Sequence, residues 1–281
     1  MDLCLMASKL AYGNAEVMHF VDFYDCWDDY QKEKSTQVFL LCDKPKDANL
    51  ILISFRGTDL FDADDWSTDF DYSWYEIPNL GKLHMGFLEA LGLGNREDTT
   101  YFYHHLQKRS TKHSFSERSA GIVTGHSLGG ALAILFPTVL VLHEETELLQ
   151  KLLGVYTFGQ PRIGNRQIGR FVEAHLDHPV PKYFRVVYYN DLVPRLPYDD
   201  KTFLYKHFGV CLYYNSCYIE QELMTSLAMG YAYGPEYKEG WFSIFIRLLG
   251  LLIPGISAHC ITNYVNSIRL GKFRGIRMSS D

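Results

Sequence analysis

An α/β fold, with a mostly parallel central sheet and helices on both faces, is predicted by two features of the sequence. Short apolar runs, which are typical of buried strands, alternate with segments of about 10 to 15 residues that have helical spacing. One such run, residues 120–124, continues directly into a glycine-rich turn and then into a long helical segment. Because no internal repeat or linker interrupts the pattern, residues 1–281 are predicted to form a single domain.

The N-terminal part of the chain has helical spacing followed by two apolar runs. Residues 1–30 are predicted to form an amphipathic helix that is broken around Gly13 and covers one face of a core. The apolar positions that indicate this helix are Leu3, Met6, Leu10, Val17, Phe20 and Tyr24. Residues 37–42 and 50–55 are separated by a turn cluster, so they are predicted to pair as antiparallel strands.

The rest of the chain alternates between helical and strand patterns. The acidic, aromatic stretch at residues 59–75 is predicted to be a loop or short helix. Strands are predicted at residues 120–124, 154–158 and 183–189, and helices at residues 86–109, after residue 130, and at residues 165–176 and 264–270. Pro137 is predicted to kink the helix that follows residue 130.

Composition and charge exclude several classes of protein. Apolar residues make up 47% of the chain, which is ordinary for a globular protein and excludes a disordered, collagen-like or coiled-coil chain. The net charge of −6 gives no basic footprint for nucleic acid. The most apolar stretch, residues 241–256, is interrupted by Arg247, Gly250 and Pro254, so no membrane span is predicted.

The cysteines indicate a reducing compartment. Six are scattered along the chain without a CxxC pair, and the N-terminus has neither a basic region nor a small-residue cleavage site. The chain is therefore predicted to be cytoplasmic with reduced thiols. Cys211 and Cys217 are close in sequence but lack metal-ligand spacing around them, and both are predicted to be buried free thiols. No metal or cofactor is expected.

The strongest chemical signal is a candidate nucleophile at Ser127. Gly125-His126-Ser127-Leu128-Gly129 matches G-x-S-x-G, with an apolar strand before it and a helix after it. A serine hydroxyl is a poor nucleophile unless a sharp turn exposes it near a base, and such a turn needs flanking residues without bulk. The alternatives are an ordinary glycine-rich turn or a phosphate cradle. Neither a P-loop lysine nor GxGxxG follows, so the nucleophile is favoured.

An acid and a base are expected after Ser127, because in one large class of serine enzymes they follow the nucleophile in that order. Asp191 comes directly after an apolar strand, which places it at the carboxyl edge of the predicted sheet. His207 and His259 are the histidines that follow Asp191. His259 is favoured as the base because it precedes a C-terminal helix and can reach the top of the sheet, and His207 is the alternative.

Two hydrogen-bond donors for a developing oxyanion are also expected. One is the backbone N–H of Leu128, which follows the nucleophile at a helix N-terminus. The other must come from an earlier strand end. The strand that ends at residue 55 is followed by a turn in which Gly57 allows a tight bend and Thr58 offers both an N–H and a hydroxyl.

Five motifs in this order resemble those of the class 3 lipase family: Phe55-Arg56-Gly57-Thr58, His84-Met85-Gly86-Phe87, Gly125-His126-Ser127-Leu128-Gly129-Gly130, Phe158-Gly159-Gln160-Pro161-Arg162-Ile163-Gly164 and Asn190-Asp191-Leu192-Val193-Pro194. The resemblance covers nearly the whole chain. Residues 190–198 and 211–215 resemble more narrowly the plant oil-body triacylglycerol lipases. Members of that plant group carry a longer region ahead of the position that matches Met1, where a membrane anchor could lie.

The resemblance implies an α/β-hydrolase fold and a set of site residues. Ser127, Asp191 and His259 would be the catalytic triad, and Thr58 and Leu128 the oxyanion donors. It also implies hydrolysis of long-chain acylglycerols, such as triacylglycerol to fatty acids, at the cytosolic surface of a lipid droplet or oil body. The alternatives are a phospholipase or galactolipase with the same machinery, and a non-catalytic droplet-coat protein, against which the complete triad argues.

Two segments are candidates for contact with lipid. A lid is expected at residues 59–75, with these contact residues: Leu60, Phe61, Trp66, Phe70 and Trp74. Residues 241–256 are apolar almost all round, which is compatible with either a buried helix or a segment that dips into a lipid monolayer. Their position ahead of His259 slightly favours the lipid-facing interpretation.

Overall fold

The computed structural model describes residues 1–12, 38–44, 48–57, 73–94, 96–97, 99–106, 119–197, 204–223 and 256–273. Three predictions fall wholly or mostly outside these ranges. They are the helix beyond Gly13, the candidate lid up to residue 72 together with Thr58, and the apolar segment up to residue 255.

The strands of the described residues are, in chain order, β1 (Val38–Cys42), β2 (Leu50–Phe55), β3 (Trp74–Ile77), β4 (Gly81–His84), β5 (Ala120–His126), β6 (Leu152–Phe158), β7 (Gly164–Asn165), β8 (Tyr183–Tyr188), β9 (Tyr205–Lys206), β10 (Val210–Tyr214), β11 (Ile219–Leu223) and β12 (Lys272–Phe273). Eight of them form one sheet in the order β1-β2-β5-β6-β8-β10-β11-β12. Within this sheet β2, β5, β6, β8 and β10 are parallel to one another. β1 pairs antiparallel with β2, and β11 pairs antiparallel with β10. The predicted α/β class and the predicted hairpin are confirmed.

A second, four-stranded antiparallel sheet has the order β3-β4-β7-β9. The prediction of a loop or short helix at residues 59–75 is wrong at its end, because Trp74 and Tyr75 begin strand β3. Trp74 makes an edge contact with Tyr205 at a ring distance of 6.5 Å, and the Lys82 ammonium lies 4.2 Å from the centre of its ring. This predicted lid residue is therefore part of a packed sheet.

The helices of the described residues are α1 (Asp2–Leu10), α2 (Met85–Ala90), α3 (Thr100–Leu106), α4 (Leu128–Leu142), α5 (Thr146–Lys151), α6 (Arg166–Leu176), α7 (Ile256–His259) and α8 (Ile261–Leu270). The single helix predicted at residues 86–109 is wrong, because the chain leaves the helical conformation after Ala90 and Gly92 has a φ of 74°. The helix predicted after residue 130 is α4, with Pro137 inside it. Asn165 caps α6 by accepting a hydrogen bond from the Ile168 N–H at 3.1 Å.

The hydrophobic core of the described residues consists of two clusters, one on each face of the large sheet. Side chains of a strand alternate between its faces, so Val123 belongs to one cluster and its neighbour Ile122 packs against the other. The first cluster contains Leu132 of α4, a helix that is buried on nearly every side. The second contains Leu5 of α1 and Tyr264 of α8. Helices therefore cover both faces of the large sheet.

The buried face of α1 differs from the predicted one. Leu3 and Leu10 are 48% and 40% exposed, whereas Leu5 and Ser8 are completely buried. The Ser8 hydroxyl lies 3.0 Å from Thr124 Oγ1 on β5. A small residue with a hydroxyl allows the helix to approach the sheet at this point, and this contact, which sequence periodicity cannot detect, sets the orientation of α1.

Cys211 and Cys217 form no disulfide, as predicted, but their burial differs. Cys211 lies in β10 and is buried, whereas Cys217 lies in the turn between β10 and β11 and is exposed. The prediction of a buried thiol is therefore wrong for Cys217. None of the helices that the structure describes is long and apolar enough to cross a membrane.

Candidate active site

The candidate nucleophile lies on a sharp turn between β5 and α4. Ser127 has a φ of 58° and a ψ of −129°, a backbone conformation that a non-glycine residue rarely adopts. The turn is possible because the residues two positions away on either side, Gly125 and Gly129, have no side chain. A Cβ on Gly125 would lie 2.1 Å from the Gly129 carbonyl oxygen, and one on Gly129 would lie 2.2 Å from the Phe55 carbonyl oxygen.

The structure brings the three predicted triad residues together. His259 Nδ1 lies 2.7 Å from Asp191 Oδ2, and His259 Nε2 lies 2.8 Å from Ser127 Oγ. An ionised carboxylate only accepts hydrogen bonds, so Nδ1 carries the proton and Nε2 accepts from the serine hydroxyl. These side chains come from the turn after β5, from the turn after β8 and from the end of α7. All three residues are buried.

Asp191 accepts hydrogen bonds on both carboxylate oxygens. Oδ1 accepts from the Val193 N–H at 3.0 Å, and Oδ2 accepts from the Tyr264 hydroxyl as well as from His259. Burial and the neighbouring Asp191 carboxylate raise the pKa of Tyr264 well above its ordinary value, so this hydroxyl remains a donor. Donors around the carboxylate offset the cost of burying its charge and fix its orientation.

Gly159 is required directly beside the triad. It follows β6, has a φ of 59°, and a Cβ at this position would lie 2.9 Å from His259 Cε1 and 3.0 Å from Asp191 Oδ2. Any side chain here would displace the histidine or the carboxylate. The sequence contained a signal for this role, since Gly159 directly follows a predicted strand and therefore lies at the carboxyl edge of the sheet.

The alternative base, His207, lies in a different environment. Its Nε2 donates to the Pro194 carbonyl. Burial lowers the pKa of His207 well below its ordinary value, and the nearby charges of Arg185 and Arg162 lower it further. His259, and not His207, is the histidine that contacts Ser127.

His126, the residue before Ser127, is also in contact with His259. Its Nε2 lies 2.9 Å from the His259 carbonyl oxygen, and the two rings stack at 4.6 Å with 28° between their planes. Its Nδ1 lies 2.7 Å from the hydroxyl of Tyr12, which follows α1. Burial lowers the pKa of His126 well below its ordinary value, and the neighbouring His259 contributes to this shift. No sequence pattern assigned a role to His126 or Tyr12.

Of the two predicted oxyanion donors, the structure describes Leu128 but not Thr58. Leu128 is the first residue of α4, so its N–H has no intrahelical carbonyl to bond and lies at the positive end of the helix dipole. Thr58 lies outside the described residues, but Gly57 before it is described. A Cβ on Gly57 would lie 2.4 Å from the His126 carbonyl oxygen, so this turn packs closely against the nucleophile strand.

The described residues of the site supply acid–base and nucleophilic groups. Within the described ranges, no group of three or more His, Cys, Asp or Glu side chains could hold a metal ion. A serine, a histidine and a buried carboxylate that are hydrogen-bonded in that order are suited to covalent attack on an acyl group.

Comparison with known proteins gives consistent matches. A family model described as "Lipase (class 3)" matches residues 52–201. The chain is 53% identical to "Triacylglycerol lipase OBL1" from Nicotiana tabacum and 57% identical to the protein of the same name from Arabidopsis thaliana; each alignment covers 100% of this chain and 67% or 66% of the relative. The chain thus spans about two thirds of the length of these relatives. The solved structure of the native lipase propeptide complex from Rhizomucor miehei aligns with a TM-score of 0.54 and 25% identity, over 76% of this chain and 66% of that one.

Proposed function

The chain belongs to the class 3 lipase family, and from this premise we propose that it is a serine esterase that hydrolyses long-chain triacylglycerols to fatty acids. The observation that carries the proposal is the continuous hydrogen-bonded arrangement of Ser127, His259 and Asp191 at the carboxyl edge of a parallel sheet. The names of the relatives support the acylglycerol substrate.

The first proposed step forms an acyl-enzyme. Ser127 Oγ attacks the ester carbonyl while His259 Nε2 takes the hydroxyl proton, and the carbonyl oxygen becomes an oxyanion. When the tetrahedral intermediate collapses, the bond to the glycerol oxygen breaks, and His259 returns the proton to that leaving oxygen. Asp191 holds the imidazole in the required tautomer and stabilises the imidazolium that forms.

The second proposed step releases the fatty acid. A water molecule gives a proton to His259 Nε2 and attacks the acyl carbon, and the collapse of the second tetrahedral intermediate breaks the bond to Ser127 Oγ. The proton returns from His259 to the serine. No redox change or cofactor is needed, since water supplies the atoms that the free acid and the restored serine require.

The oxyanion of both intermediates is proposed to accept hydrogen bonds from Leu128 and Thr58. The Leu128 N–H is supported by its position at the start of α4, and Thr58 by its place directly after the Gly57 turn. One such donor is worth about 2.7 to 4 kcal/mol of transition-state stabilisation.

We also propose that the enzyme acts at the surface of lipid droplets, on their cytosolic side. Support comes from the sequence motifs shared with plant oil-body lipases and from the apolar residues 241–256. If that segment faces lipid, Phe245→Asp together with Leu249→Asp is expected to release the protein from droplets without unfolding it. Loss of folding would indicate instead that the segment belongs to the core.

Release of fatty acid from emulsified triolein tests the proposal. The wild-type chain is expected to release oleate, and Ser127→Ala is expected to abolish this release. Ser267→Ala is the matched control, because this serine is equally buried but donates to the Asn263 carbonyl within α8. Equal release by wild type and Ser127→Ala would contradict the proposal. Activity confined to phospholipids or galactolipids would show that these lipids, and not triacylglycerols, are the substrate.

A further inference from the structure

We infer that His126 and Tyr12 are positioning residues for the base, so that the residue before the nucleophile also fixes the histidine that activates it. The inference rests on the proposed serine esterase function. His126 would act through its contacts with His259, and Tyr12 through its hydrogen bond to His126.

Two consecutive residues of the nucleophile turn bond the same histidine. Ser127 Oγ contacts the ring of His259 at Nε2, and His126 Nε2 contacts the main-chain carbonyl of His259 at 2.9 Å. The stacked His126 ring adds a third contact on the face of the His259 imidazole. Because the chain connects His126 to Ser127 directly, the distance between nucleophile and base depends on few intervening bonds.

The hydrogen bonds determine which nitrogen of His126 carries the proton. A carbonyl oxygen only accepts, so His126 Nε2 must be the donor to His259. In a neutral imidazole Nδ1 then has a lone pair, and the Tyr12 hydroxyl at 2.7 Å donates to it. Tyr12 therefore fixes the tautomer in which His126 can hold the base.

A neutral His126 is also compatible with the charge that turnover places on its neighbour. His259 becomes an imidazolium when it takes the serine proton, and a second imidazolium stacked on it would oppose this step. Burial keeps the pKa of His126 low, as does the proximity of His259. Two phenol rings also pack on His126, that of Tyr12 at 5.8 Å and that of Tyr264 at 5.4 Å, and burial together with the Asp191 carboxylate keeps Tyr264 a neutral phenol.

Tyr12 extends the same contact to a second part of the site. A Cβ on Gly57 would lie 2.2 Å from the Tyr12 hydroxyl oxygen, so the hydroxyl packs directly against the turn that precedes Thr58. Tyr12 thus contacts both the strand that leads to the nucleophile and the turn that leads to the proposed oxyanion donor. Displacement of Tyr12 is expected to affect the rate of the chemical step rather than the affinity for the ester.

Kinetics with a soluble p-nitrophenyl ester separate a positioning role from a purely structural one. Rates are expressed per active site, counted by stoichiometric reaction with a phosphonate inhibitor, so that inactive molecules do not contribute. His126→Leu is expected to lower kcat about 10- to 100-fold with KM nearly unchanged, because small displacements of a catalytic group have effects of this size. Tyr12→Phe, which removes only the hydroxyl, is expected to lower kcat less than His126→Leu.

Two further variants complete the design. His126→Gln is expected to recover most of the rate lost in His126→Leu, because the amide N–H can donate to the same carbonyl. Thr138→Val is the control, since it removes a buried hydroxyl bonded to the Ile134 carbonyl far from the triad, and its kcat per active site is expected to equal that of wild type.

An unchanged kcat per active site in both His126→Leu and Tyr12→Phe would overturn the inference, even if the variants unfold at a lower temperature. If His126→Leu does not fold, Tyr12→Phe and His126→Gln decide the outcome. A wild-type protein that neither turns over esters nor reacts with the phosphonate would overturn the proposed function, and the inference with it. An active wild type with unaffected variants would overturn the inference alone.

Discussion

The two ends of strands β2, β5 and β6 have opposite chemical character. At their carboxyl ends lie buried polar groups that bond one another, including Ser127, His126 and His259. At their amino ends lies an apolar cleft that opens to solvent between the sheet, α4 and α5. The apolar residues that line it include Ile51, Ile53, Val123, Phe136, Leu140, Leu148 and Leu152.

This difference separates the site from the scaffold. At the carboxyl ends each polar group depends on the position of its neighbours, and a small displacement changes the hydrogen bonds on which turnover depends. At the amino ends the side chains contribute apolar packing, which changes stability without touching the reacting groups. Substitutions at the first end are therefore expected to change kcat, and those at the second to change the free energy of unfolding.

The largest expected effect follows from Asp191→Asn at the carboxyl ends. An amide can donate to His259 Nδ1 and favour the wrong tautomer, so kcat is expected to fall about 10⁴-fold while the fold is retained. Asp177→Asn is the matched control, because Asp177 follows α6 ahead of the amino end of β8, and burial already raises the pKa of its carboxyl. Its turnover is expected to equal that of wild type.

Steady-state kinetics per titrated active site, together with circular dichroism, measure both variants. A fall in kcat of similar size in Asp177→Asn would show that the amino ends also control turnover, and the separation between the two ends would then be wrong.

A smaller but still large effect is expected from Gly125→Ala. The new methyl group would lie 2.1 Å from the Gly129 carbonyl oxygen, which belongs to the helix backbone and cannot rotate away. We expect the free energy of unfolding to fall by about 2 to 4 kcal/mol, with loss of turnover, because overpacking against backbone forces the turn to move. Urea unfolding measures the change, and a stability within error of wild type would contradict the geometry of the turn.

Much of the site could be predicted because its signals are local or follow chain order. The nucleophile turn needs glycines on both sides of Ser127, and these requirements fall within five consecutive residues. Asp191 and His259 were predicted because they follow Ser127 in the expected order. Asp191 comes directly after a strand, and His259 comes ahead of a helix. The strands β5, β6 and β8 were predicted because buried strands are continuous apolar runs.

Features that depend on distant contacts could not be predicted. The hydrogen bond between Tyr12 and His126 joins residues 114 positions apart, and no local pattern reports it. The second sheet was missed because β7 and β9 have only two residues each. The buried face of α1 was assigned to the wrong side because Ser8 is polar in sequence, and only its contact with Thr124 makes it an inward-facing residue.

The next effect concerns the pH dependence of stability, through His126. Its pKa is about 6.5 in the unfolded chain and well below that value in the folded protein. Between the two pKa values the unfolded chain binds more protons, so this contribution to stability is complete above about pH 6.5 and is lost as the pH falls. His126→Gln is expected to reduce the slope below that pH by at most about 1.4 kcal/mol per pH unit.

Urea unfolding at several pH values between 7 and 5 measures this slope for both proteins. Identical slopes would mean that His126 is protonated equally in the folded and unfolded chains, which its burial and its contact with His259 argue against.

The smallest expected effect is a gain in stability from Gly121→Ala, at the amino end of the same strand that carries Gly125. A Cβ on Gly121 would meet no heavy atom within 4 Å and would point into space that lies beside the apolar cleft. We expect a gain of about 0.4 to 1 kcal/mol, because alanine restricts the unfolded chain more than glycine does, with turnover unchanged. A higher urea midpoint with an unchanged denaturant slope would bear this out. If Gly121→Ala instead lost stability as Gly125→Ala is expected to, the amino end of β5 would be as tightly constrained as its carboxyl end, and the contrast between the two ends would not arise from packing.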